Sequence, residues 1–147
     1  MPITEFFSNV LRAPLHNQVW SWGATAADGL KQVLRVWAHE YRDMRRPDAL
    51  FPDNGYWVIV DLQQYPVGYE SPGIEERRRH VAALKVGLFT AGVIITQDPA
   101  NPDRILTYDD RQLVVIASDL RTVGNEIWAR VDRKMDPADF PGIGLPH

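Results

Sequence analysis

The stretch VWSWGATAADGLKQVLRVW, residues 19–37, reads as a β-hairpin. Two runs rich in Val, Leu and Trp flank Ala27-Asp28-Gly29, and Asp-Gly is the dipeptide that a two-residue hairpin turn favours. Taking Asp28 and Gly29 as the loop sets the register. Ala27 then faces Leu30, Ala24 faces Val33, Trp22 faces Arg35 and Trp20 faces Trp37. Alternation along each strand puts Trp20, Trp22, Arg35 and Trp37 on one surface of the ribbon. Val19, Ser21, Gly23, Leu34 and Val36 fall on the other, which has the small and aliphatic character of ordinary packing. Gly23 suits a close backbone approach or a bulge.

The flanking sequence supplies the other elements. Residues 3–12 predict a short amphipathic helix capped by Thr4, with Phe6, Phe7, Val10 and Leu11 as its apolar stripe and Pro14 closing it. Residues 40–55 read as a long surface loop. Tyr56 to Leu62 is almost continuously apolar, as a strand buried on both faces should be. After a second Pro- and Gly-rich loop, Ser71-Pro72 opens a helix expected to run to about Val86 and to stop at Gly87. Residues 91–96, 104–108, 112–117 and 126–131 read as further strands, and 135–147 as an extended tail. Strands mostly follow strands, which argues against a doubly wound parallel sheet. The expected fold is one α+β domain spanning 1–147. In it a curved, mostly antiparallel sheet or small open barrel of six or seven strands carries a central helix and a short N-terminal helix.

Composition narrows the use of such a fold. With 147 residues, 45% hydrophobic and 24% charged, the chain has the balance of a globular domain. It contains no cysteine, so a disulfide framework and a thiolate metal site are excluded. The first residues lack a basic segment followed by an apolar core, and no run approaches the ~20 residues that cross a bilayer. A soluble, cytoplasmic domain with no membrane partner is the expectation. A net charge of −3 disfavours non-specific coating of duplex DNA.

Five tryptophans in so short a chain stand out. Trp20, Trp22 and Trp37 can fill a core, with Arg35 covering one of them, or line a slot that stacks a base or a cation. In the helix, Ile74, Val81, Leu84 and Leu88 form the apolar stripe at 100° per residue, and Arg77 falls inside it while Glu75, Glu76 and Arg79 fall outside. A guanidinium there calls for a partner, and Asp61 and Glu40 are the candidates. Either it braces helix to sheet or it lines a pocket. Glu76 to His80, ERRRH, together with Arg42, Arg45 and Arg46, can form a basic patch or a solvated face.

Catalytic signatures are mostly absent. His39-Glu40 lacks the second histidine of HExxH, and His16, His39, His80 and His147 show no ligand spacing. No cofactor is implied. WSWGA with LRVW, the ERRRH helix, GVIITQDP, a short RILTYDD hairpin and a final IWARV strand together resemble small PUA-like and EVE-like domains, and domains found beside bacterial restriction systems. The resemblance lies in element order from Trp20 to Val131. It implies a compact curved sheet with flanking helices that grips a nucleobase, often modified, in an aromatic cage. The expected function is therefore a ligand-binding module for a nucleobase or nucleic-acid end, with Trp20, Trp22 and Trp37 stacking and Arg35 and Arg77 contacting phosphate or base edges. Two alternatives remain: a small hydrolase or nuclease-like enzyme using Asp61, Glu40 and His39, and a homodimer whose interface is the Trp/Arg face.

Overall fold

A computed structural model describes residues 1–17, 21–42, 55–61, 72–124 and 126–145. The two-residue turn expected at Asp28-Gly29 is instead a four-residue loop, residues 27–30: Ala26 N–H bonds Lys31 O at 2.9 Å, and Leu30 N–H goes to Asp28 Oδ1. Both reversals share one centre, so the expected register of the strands holds. Gly29 has φ +73°, and its N–H donates to Ala26 O at 2.9 Å. Strand β1 (Gly23–Thr25) lies antiparallel to β2 (Lys31–Trp37) with Gly23 opposite Leu34, Ala24 opposite Val33 and Thr25 opposite Gln32. Arg35 N–H donates to Trp22 O at 2.7 Å, so the register read from the turn extends past the end of β1. Gly23 marks a close approach: a Cβ there would sit 2.7 Å from Val33 O.

The remaining strands are β3 (Tyr41–Arg42), β4 (Tyr56–Asp61), β5 (Phe89–Asp98), β6 (Asn101–Tyr108), β7 (Leu113–Val123) and β8 (Glu126–Met135). They form one mixed sheet in the order β1-β2-β5-β7-β8-β4-β3, with β6 also pairing β5. Every pairing is antiparallel except β2 with β5, which run parallel from Lys31 opposite Phe89 to Trp37 opposite Ile95. The sheet is curled and open. One 3-10 turn, Ala38–Glu40, carries the chain from β2 into β3, and Trp57 Nε1 donates to Trp37 O at 2.8 Å. β2, next to one end of the strand order, therefore lies against β4, next to the other. Tyr41 packs edge-on to the Trp57 ring at 4.8 Å.

Two cores form, one on each face. On one, Phe6, Phe7 and Leu11 meet Ala24, Val33, Val93, Ile95, Leu113 and Phe140. On the other, Leu34, Val36, Trp57, Ile94, Val114 and Ala129 meet Val81 and Leu84 of α2 (Pro72–Lys85). β2 and β5 are thus covered on both faces, which is where a parallel pair belongs. α2 ends as its sequence implies, with Gly87 N–H bonded to Leu84 O and Leu88 N–H to Ala83 O, the paired bonds of a glycine-terminated helix. No helix among the described residues is long and apolar enough to cross a membrane.

Four further expectations change. The N-terminal helix α1 (Ile3–Glu5) starts after Pro2, with Thr4 inside it, and passes into a π-helical turn, Phe6–Val10, closed by Leu11 N–H to Phe6 O at 3.1 Å. Pro2 takes the capping position without a side-chain bond, and its fixed φ suits the entry to a helix. β7 and β8 run on to Val123 and Met135, because their outer halves pair with each other beyond the apolar core. The segment read as an extended tail forms a 3-10 helix, Pro137–Gly142, capped by Asp136 and anchored by fully buried Phe140. Lys31 ties that helix down: its buried ammonium bonds Ile143 O at 3.0 Å and pairs with Asp28. Finally, the long loop shortens, since Tyr41 and Arg42 pair with Trp57 and Tyr56. Residues 43–54, and the second loop at 62–71 with Ser71, lie outside the described residues.

Candidate ligand-binding site

The register puts Trp22 opposite Arg35, so the two share a side of the ribbon, and alternation along β2 adds Trp37 to it. Trp20 lies outside the described residues. The side is not one uniform aromatic surface. Trp37 packs against the core of Phe6, Phe7 and Val33, and its ring lies 5.7 Å from that of His39. Trp22 and Arg35 are half-buried at the point where β1 leaves the sheet. The face opposite is covered by α2, so both surfaces of the hairpin are packing surfaces.

From α2, two side chains clasp the backbone just before β1. Glu76 Oε2 accepts from Ser21 Oγ at 3.0 Å, and Oε1 accepts from Trp22 N–H at 3.3 Å. Arg77 Nη2 donates to Arg35 O at 2.8 Å and to Trp22 O at 3.4 Å. Ser21 Oγ also accepts from Asn17 N–H at 2.9 Å, and Arg35 Nη2 donates to Ser21 O. One helical turn of α2 and one strand crossing thus fix Ser21 and Trp22 from both sides.

Glu76, placed outside the helix stripe by its spacing, is 5% exposed; Arg77, placed inside it, is 8% exposed. His80 is buried as well, while Arg78 and Arg79 are exposed. The ERRRH run therefore splits between interior and solvent; Arg45 and Arg46, suggested to join it in a basic patch, lie outside the described residues. Apolar periodicity misses Glu76 because its partners, Ser21 and Trp22, lie far away in the sequence. Gln32, fully buried in β2, bonds His80 O at 2.7 Å and Thr90 Oγ1 at 2.9 Å. These two attachments add to the clasp.

Burial dominates the local electrostatics. It lowers the Arg35 pKa to about 10, against the opposing pull of Glu76. It takes His80 down to about 4, with Arg77 and Arg79 pushing the same way, so that imidazole is neutral at pH 7.

The residues suggested for catalysis are spread out. His39 Nε2 lies 3.9 Å from Glu40 Oε1 on the 3-10 turn after β2. Asp61 ends β4 opposite Glu126, while Tyr41, next to Glu40, pairs with Trp57. Four residues along a strand separate Trp57 from Asp61, about 13 Å at the usual rise. Among the described residues, no group of three or more His, Asp or Glu could hold a metal ion.

The fold and site together define an α+β domain with an open mixed sheet and a clasped aromatic–guanidinium edge. Compared with protein-family models, curated proteins and solved structures, the chain matches none of them.

Proposed function

We propose that this domain is a binding module for a flat heteroaromatic group, with a nucleobase or the end of a nucleic-acid strand as the ligand class. The observation that supports this reading is the mounting of Trp22. Its indole is half-buried, stands across the ribbon from Arg35, and has its backbone held by Glu76 and Arg77 from behind. An indole face is worth about 1–3 kcal/mol to a stacked base. A platform held this firmly loses little entropy when a ligand settles on it. Trp37, set into the core, shapes the floor and does not stack.

Titration of the protein with nucleosides and short single-stranded oligonucleotides, followed by calorimetry, tests the reading. Saturable binding by the wild type is expected, with at least a tenfold loss in a Trp22→Ala variant that keeps the native circular dichroism spectrum. No saturation by any probe, or binding unchanged in that variant, would overturn it.

A further inference from the structure

We infer that Arg35 is an anion receptor beside Trp22, and that the flat ligand carries a phosphate next to its ring. This rests on the stacking proposed above and adds the chemistry of the neighbouring group.

A guanidinium has five N–H donors in a planar fork, and among the described residues Arg35 has one acceptor for them, the backbone carbonyl of Ser21. Glu76 is the carboxylate whose charge Arg35 feels, but both its oxygens are engaged, one by Ser21 Oγ and one by Trp22 N–H. No carboxylate among the described residues lies within ion-pair distance of Arg35. Burial disfavours its charged form, as its lowered pKa records. Glu76 offsets the burial of this half-buried guanidinium only from beyond ion-pair distance, and an incoming anion in direct contact offsets the rest. Arg77, by contrast, spends its Nη2 on the carbonyls of Trp22 and Arg35 and serves as a fastening.

Phosphate is favoured by the geometry. The fork matches two phosphate oxygens at once. Residues directly opposite on antiparallel strands stand about 5 Å apart at Cβ. Trp22 and Arg35 therefore address two adjoining parts of a single small molecule, a ring on the indole and an acidic group on the fork.

The test compares three probes on the intact protein: a nucleoside, its 5′-monophosphate and inorganic phosphate, each against wild type, Arg35→Gln and Arg35→Lys. The expected result is that the monophosphate binds at least tenfold more tightly than the nucleoside. That ratio should collapse towards one in Arg35→Gln and fall partway in Arg35→Lys, which keeps the charge but loses the fork. Equal affinity for nucleoside and monophosphate in the wild type would overturn the anion site and leave the stacking reading standing. Phosphate binding that depends on Arg35, with no binding of the nucleoside, would uphold the anion site and overturn stacking. If the Gln variant fails to fold, the wild-type ratio and the Lys variant decide the matter.

Discussion

Ser21 and Glu76, far apart in the chain, meet through a 3.0 Å hydrogen bond inside the fold. That bond and its neighbour to Trp22 N–H attach the start of β1 to α2. Glu76→Ala would strand two donors and remove the charge that opposes Arg35. A loss of about 2–4 kcal/mol in folding free energy is expected, with a smaller loss for Glu76→Gln, which can still accept a hydrogen bond. Urea denaturation reads it as a lowered midpoint at unchanged slope. An alanine variant within about 0.5 kcal/mol of wild type would show that the clasp contributes nothing.

His80 should make stability sensitive to mild acid. Its pKa in the fold is about 4, below its ordinary value of 6.5. Between those values the unfolded chain takes up a proton that the native chain refuses. The stabilisation is therefore complete above about pH 6.5, declines as pH falls, and levels off near pH 4, a total of up to about 3 kcal/mol. Asp28 and Asp119 have pKa values lowered from 3.8 by Lys31 and Arg130, so their contributions are lost in a more acidic window. Denaturation at a series of pH values should show the slope between 6.5 and 4 in wild type and its absence in His80→Leu. Parallel curves for the two proteins would refute the assignment.

Phe140 provides a test of the C-terminal segment. Its ring is fully buried in the core beside Phe6, Phe7 and Leu113 and lies 6.4 Å from Phe89. Phe140→Ala should cost about 3–5 kcal/mol, the range for emptying a large aromatic from a core. A frayed tail would make the same change nearly silent. Thermal unfolding distinguishes these outcomes directly.

What could be read from the sequence follows how local each determinant is. The reversal around Asp28 and Gly29 acts within a few residues, so its position yields the register of β1 against β2 and the facing of Trp22 and Arg35, while its loop is longer than the dipeptide alone suggests. The stop of α2 at Gly87 and the burial of Arg77 are legible for the same reason. Glu76 is not, because a carboxylate on the polar side of a helical wheel looks solvated until Ser21 arrives from elsewhere. Phe140 is hidden by the prolines and glycines around it, whose composition suggests fraying while Lys31 and Asp136 hold the segment in place. The parallel alignment of β2 with β5 has no local signature at all. Both strands are simply apolar.

That parallel seam also bears on how the chain reaches its native state. The strands β5, β7 and β8 are neighbours in space and nearly so in sequence, whereas β1–β2 docks against one side of them and β4–β3 against the other. During synthesis β1 and β2 are made before β5, the strand on which β2 docks. The later meander must appear before either flank can be sealed. Such long-range closure slows folding, and the apolar residues of β2 stay without their partners until the second half is completed.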